Sequence, residues 1–113
     1  MNFEEYQELA NTTAGAFPEE ERIFWTLITT IGLTGETGEV ADYLKKVYGH
    51  GYKLDEVKLK KELGDVLWYV ADICTKLNVS LDEVAKLNIE KLKNRYPEGF
   101  SQHKSQNRNI GDV

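Results

Sequence analysis

The sequence predicts an all-α protein, and three observations carry the prediction. Apolar residues recur at three- and four-residue spacing through most of the chain, the pattern of helices with one buried face. No segment shows sustained period-two alternation with β-branched residues, so strands are not expected. The two prolines, Pro18 and Pro97, stand between the periodic segments, where a missing N–H does no harm.

Four helices follow in order. Residues 2 to 14 read as the first, with Phe3, Tyr6, Leu9 and Ala10 at helical spacing, and the segment Ala-Gly-Ala-Phe-Pro ending at Pro18 breaks it. A second runs from about 19 to 48. With Glu36 at zero on a helical wheel, Trp25, Thr29, Gly32, Val40, Tyr43 and Val47 all fall within about 40° of it, so Glu36 lies inside a mostly apolar stripe. Gly49, His50 and Gly51 stop this helix and open a short connection. The third helix spans about Asp55 to Leu77 on a stripe of Leu59, Leu63, Val66, Val70, Ile73 and Leu77, with Asn78 as a left-handed cap. Ser80 followed by Glu83 is a capping box for a fourth helix, which continues to about Tyr96. Residues 101 to 113 are polar and are expected to be mobile unless a partner or ligand orders them. The organisation predicted is a single all-α domain over 1–100, a four-helix bundle, with a polar C-terminal tail over 101–113.

A chain of 113 residues has enough apolar material for one core and not for two. The formal charge of −5 argues against a general nucleic-acid or anionic-membrane binder and suits a protein that holds cations. Cys74 is the single cysteine, in the apolar setting Ala-Asp-Ile-Cys-Thr; it offers no internal disulfide, zinc site or redox pair and reads as a buried small residue. The first residues carry no signal-type pattern and no run approaches membrane-spanning length, so the cytoplasm is the expected location.

The second helix holds a contradiction. Gly32, Gly35 and Gly38 surround Glu36 and Glu39, although each interior glycine costs a helix roughly 1 kcal/mol relative to alanine. Glu36 and Glu39 share one helix face, and a second pair with the same spacing, Glu62 and Asp65, lies on the third helix. Helices joined by so short a connection pack antiparallel, which can bring the two pairs face to face. Desolvation and like-charge repulsion oppose such a cluster unless a cation is bound. Carboxylates without cysteine or histidine favour hard Mg²⁺, with Mn²⁺ as a substitute, over zinc. Gly35, Gly38 and Gly64 would then let a neighbouring helix or a phosphate approach the backbone. A lone ExxE is usually a solvated face; two pairs with costly glycines argue for a site. A di-iron carboxylate bundle needs Glu-x-x-His pairs, and neither His50 nor His103 follows a glutamate at that spacing.

The fourth helix supplies the opposite charge. Lys91 and Arg95 lie within about 60° of Asn88 on the wheel, on the same side as Leu81, Val84 and Leu92. They could complement the helix macrodipole, or provide point-charge and forked contacts to a polyphosphate. Asp72, about 20° from Asp65 on its wheel, is a candidate further acid or hydroxyl acceptor, with a solvated aspartate as the plainer reading. Trp25, Tyr43, Trp68 and Tyr69 could stack on a base but more often such residues form core.

Gly-Glu-Thr-Gly-Glu-Val, Glu-Leu-Gly-Asp-Val-Leu-Trp-Tyr and Asn-Ile-Glu-Lys-Leu-Lys-Asn-Arg-Tyr-Pro-Glu-Gly-Phe, in this order over residues 30 to 101, resemble the MazG-like nucleoside triphosphate pyrophosphohydrolases of the all-α NTP pyrophosphatase superfamily. The resemblance implies Mg²⁺ ligands at Glu36, Glu39, Glu62 and Asp65, phosphate contacts at Lys91 and Arg95, and a nucleotide contact at Asn88. It implies hydrolysis of a nucleoside triphosphate to monophosphate and pyrophosphate, with Glu39 orienting or deprotonating the attacking water. It also implies a homodimer or homotetramer. A non-catalytic metal-binding interaction module and a phosphoribosyl-ATP pyrophosphohydrolase are the alternatives.

Overall fold

Helix starts and stops in this chain coincide with residues able to satisfy the backbone groups that a helix end leaves free. The computed structural model describes residues 1–113 and is all-helical, with no β-strand. Asn2 caps α1 (Phe3–Asn11), its side-chain oxygen accepting the Glu5 N–H at 2.8 Å. This helix ends earlier than residue 14, in a turn where the N–H groups of Thr12, Thr13 and Ala14 bond to the carbonyls of Leu9, Ala10 and Asn11, three residues back. A 3₁₀ turn at Glu19–Glu21 leads into α2 (Arg22–His50), which runs through its internal glycines without a break.

Gly51 ends α2 in the left-handed conformation, φ 75°, and the Tyr52 N–H reaches back to the Lys46 carbonyl at 3.1 Å. The connection is pinned where the Asp55 N–H donates to the Tyr43 hydroxyl oxygen at 2.8 Å. Asp55 then caps α3 (Glu56–Lys76) by accepting from the Val57 and Lys58 amides. Asn78, at φ 56°, is the only non-glycine residue with positive φ and forms the predicted left-handed turn before α4 (Leu81–Arg95).

The chain divides into two compact units, residues 1–81 and 82–113. In the first, the links Thr29 to Asp72, Gly32 to Tyr69 and Tyr43 to Asp55 show α2 numbers rising as α3 numbers fall, so the two helices run antiparallel as expected. Helix α1 lies on α3. Its Ala10 joins Ala71, Cys74 and Leu81 in the buried core, with Tyr6, Trp68 and Val70 packed around them. The Trp68 indole N–H donates to the Ala10 carbonyl and the Thr13 hydroxyl, giving this core aromatic the polar partner that its burial requires. Gln7 donates to Thr75 and the Val79 carbonyl and accepts from the Leu81 amide, tying α1 to the α3–α4 turn.

On α2 the buried residues are Thr29, Tyr43 and Val47, all from the stripe that contains Glu36. One glycine is required for packing. At Gly32 an added Cβ would stand 2.2 Å from Cε1 of Tyr69. The close approach of a neighbouring helix expected at Gly35, Gly38 and Gly64 does not occur: a Cβ at any of them would meet nothing within 4 Å.

The second unit holds most of α4, a turn closed by the Gly99 N–H on the Tyr96 carbonyl, and a fifth helix, α5 (Gln102–Gln106). The polar segment 101–113 therefore contains a short helix. Ser101 caps α5 by accepting the Lys104 N–H at 3.0 Å, and Arg95 binds Asp112. No helix of the chain is long and apolar enough to cross a membrane.

Candidate active site

Glu36 on α2 and Glu62 and Asp65 on α3 bring one carboxylate oxygen each to within 4.8 Å of one another. Glu36 and Glu62 are half-buried and Asp65 is exposed, so the cluster opens to solvent on one side. Burial, followed by the charges of Asp65, Glu39 and Glu62, holds the Glu36 carboxyl above the usual glutamate range. The electrostatic strain anticipated for an acid inside an apolar stripe is thus present. Tyr6 of α1 adjoins the cluster electrostatically: burial and then the Asp65 charge push its phenol up. Sequence pattern did not single out Tyr6 because its spacing on α1 is that of an ordinary core position.

The donor set fits a hard divalent cation. It consists of carboxylate oxygens alone, without cysteine or histidine, and neighbouring oxygens around such an ion with bonds of about 2.1 Å stand roughly 3 Å apart, so the three side chains would close in from within 4.8 Å to share it. Glu39 is not part of this triplet. It borders an adjoining cleft of about 380 Å³, together with Glu62, Tyr43, Tyr52, Lys46 and Lys58. The Lys58 ammonium lies 4.7 Å from the centre of the Tyr43 ring, while Lys46 pairs with Asp42 at 2.9 Å.

Asp72 stands apart from the cluster. It is 4% exposed, accepts from the Thr29 hydroxyl at 2.8 Å and pairs with the equally buried Lys76 at 2.5 Å. The reading as a solvated aspartate is corrected: Lys76 compensates its charge inside the α2–α3 contact. The Lys76 ammonium also faces the Phe17 ring, and its carbonyl accepts from Arg22.

Among the cationic candidates, Lys91 and Arg95 line one cavity of about 370 Å³ in the second unit, whereas Asn88 is exposed on α4 outside its lining. The Arg95 guanidinium forms a two-pronged pair with Asp112, Nε to Oδ2 at 2.8 Å and Nη2 to Oδ1 at 2.7 Å. Sequence spacing gave no sign of Asp112, since the pair joins residues with no periodic relation.

The chain is an all-α protein with an oxygen-only acid cluster between two antiparallel helices. Residues 26–100 match the family model for the MazG nucleotide pyrophosphohydrolase domain, and the chain belongs to that family. The family typically uses a divalent metal, and membership points to nucleotide pyrophosphohydrolase activity. The chain is 36% identical to the Gene 37 protein of Mycobacterium phage L5 over 115 residues, an alignment covering 96% of this chain and 100% of that protein. No solved structure matches the chain significantly.

Proposed function

We propose that this protein hydrolyses a nucleoside triphosphate, NTP or dNTP, to the monophosphate and pyrophosphate with Mg²⁺ as cofactor. The observation that carries the reading is the convergence of Glu36, Glu62 and Asp65 on a volume suited to one cation, in a chain of the MazG family. Glu39 completes the ligand set by a change of rotamer, since it follows Glu36 by one turn and its charge already acts on Glu36. Mg²⁺, when bound, offsets phosphate charge and acidifies a nearby water.

The protein's own groups do the rest. Glu39, at the edge of the cleft, orients the attacking water or takes its proton. Lys91 and Arg95 neutralise charge on the transferring group and on the pyrophosphate that leaves, with Asn88 contacting the nucleotide. Asp72, spent on Lys76, has a structural task in this scheme.

The working form is a cytoplasmic homodimer or homotetramer. Supporting this, α2 carries an unpartnered apolar face: Ile23, Phe24, Leu27, Ile28 and Ile31 are between 42% and 69% exposed. Residues four apart on one helix face form a continuous row of the kind that a second copy covers.

The test is pyrophosphate release from a panel of standard and modified NTPs and dNTPs. Mg²⁺-dependent release that Glu62→Gln abolishes is expected. Metal binding without release from any substrate would leave a non-catalytic module as the function, and preference for phosphoribosyl-ATP would redirect it within the superfamily.

A further inference from the structure

We propose that Asp112 is a built-in competitor for substrate phosphate, a carboxylate that holds the Arg95 fork in the nucleotide-free protein and yields it when a phosphate arrives. This rests on the reading of Arg95 as a phosphate contact and adds a regulatory element to it. A guanidinium recognises carboxylate and phosphate through the same pair of parallel N–H donors. The Arg95–Asp112 pair has that geometry, at 2.8 and 2.7 Å, with side chains only 9% and 15% exposed. While it persists, these two donors are occupied.

The carboxylate also lies in the field of the other cations that a phosphate would meet. Its direct bonds to Arg95, and then the charges of Arg95, Arg108 and Lys91, keep it below the ordinary aspartate range, so it is ionised at neutral pH. Lys91 and Arg95, the two residues proposed to grip phosphate, line one cavity with Asn94, Asn109, Gly111 and Asp112. The Asp112 anion occupies a place in that cavity where a phosphate oxygen would find the same partners.

What holds the segment suits displacement. The neighbouring apolar side chains Ile110 and Val113 are fully or almost fully exposed, at 107% and 87%, and add no buried anchor. Gly111, at φ +88°, forms a tight turn in which the Asp112 N–H donates to the Asn109 carbonyl at 3.1 Å. Beyond that turn the Arg95–Asp112 pair ties residues 109–112 to α4, while a side-chain hydrogen bond between Ser105 and Tyr96 holds the chain further upstream. A purely structural clip would add apolar packing to its ion pair.

The consequence is a lowered apparent affinity, because only the fraction of molecules with Arg95 free can bind phosphate through it. The experiment titrates inorganic pyrophosphate, with Mg²⁺ present, into the full chain and into Asp112→Asn, Asp112→Glu, Arg95→Ala and the Asp112→Asn/Arg95→Ala double variant. Asp112→Asn is expected to bind up to about fivefold more tightly than wild type, the effect of removing one ion pair of ordinary strength. Asp112→Glu, which keeps the charge, should stay near wild type, and on the Arg95→Ala background the Asp112 substitution should have no effect. In amide NMR spectra, pyrophosphate should move the Gly111 signal of wild type toward its position in Asp112→Asn. If Asp112→Asn binds no more tightly than wild type while Arg95→Ala binds more weakly, the competitor role is overturned and the phosphate reading of Arg95 stands. If Arg95→Ala binds as wild type does, that reading falls and the competitor role with it.

Discussion

Tyr69 lies against Gly32 so closely that a Cβ at residue 32 would stand 2.2 Å from its ring carbon Cε1. Gly32 is one helical turn before Glu36 on α2, and Tyr69 one turn after Asp65 on α3. The contact therefore fixes how closely the helices approach one turn away from the acid cluster.

Gly32→Ala tests two opposing effects. Alanine gains about 1 kcal/mol of helix propensity, while overpacking a filled contact costs about 1–3 kcal/mol and more when a ring must move. Overpacking should win, with a net loss of stability in urea unfolding and weaker Mn²⁺ binding as Glu36 shifts from Asp65. Gly35→Ala is the control: nothing lies within 4 Å of the new Cβ, so the metal-free protein should gain up to about 1 kcal/mol. Equal effects at both positions would refute the assignment of the contact to Gly32.

The Asp72–Lys76 pair predicts a different kind of defect. Both side chains are nearly inaccessible, 3% and 6% exposed, and Asp72 Oδ1 has no hydrogen-bond partner. Removing one member strands the other charge, which typically costs about 3–5 kcal/mol. Asp72→Ala should lose stability on that scale, and adding Lys76→Met should recover part of it, because the double variant buries no uncompensated charge. Urea denaturation of the four-member mutant cycle measures the coupling.

These residues also mark where sequence reasoning stops. Helix ends were legible because caps are local: Asp55, Gly51 and Asn78 each act within a few residues of themselves. The pairing of Glu36 with Glu62 and Asp65 was legible because a short connection forces α2 and α3 antiparallel. The glycine at the closest approach was not, since the register between two helices depends on side chains packed along their whole length. Asp72 read as exposed because its wheel position is compatible with either face, and only the Lys76 ammonium one turn away makes burial tolerable. Arg95 was identified as a phosphate candidate, but Asp112 was invisible because nothing periodic links residues 95 and 112.

Glu36 gives a pH prediction for the metal-free protein. Its carboxyl is raised in the folded state by burial and then by Asp65, Glu39 and Glu62, whereas the unfolded chain returns it to the ordinary range. Between those two values the folded state binds more protons, so Glu36's contribution to stability is fully present below the unfolded pKa and is lost as pH rises through the folded one. The stability of wild type minus that of Glu36→Gln should therefore fall as pH rises across the window just above the usual glutamate pKa. Taking this difference removes the opposite trends of Glu19, Asp42 and Asp112, whose carboxyls are lowered by their cationic partners. Millimolar Mg²⁺ at neutral pH should raise the melting temperature of wild type and leave Glu36→Gln nearly unchanged, because a ligand stabilises only the state that binds it. A flat difference profile would mean that the cluster is too solvated to strain Glu36.

The exposed apolar row on α2 predicts the solution state. Ile23, Leu27 and Ile31 succeed one another every four residues, at 69%, 58% and 65% exposure, with Phe24 and Ile28 beside them. A contiguous patch of this kind is seldom left to water on a small protein, and a two-fold pairing of α2 with α2 would cover every member of the row with the same row from its partner. Wild type should therefore sediment as a dimer or tetramer at micromolar concentration, and the Leu27→Lys/Ile31→Lys variant as a monomer with native helical circular dichroism. Because Glu36 lies little more than one turn beyond Ile31 on the same helix, loss of the partner should also weaken Mn²⁺ binding if the second copy helps to shield the acid cluster from solvent. A wild-type protein that remains monomeric at hundreds of micromolar, with metal affinity unaffected by the lysines, would show that this face has some other occupant.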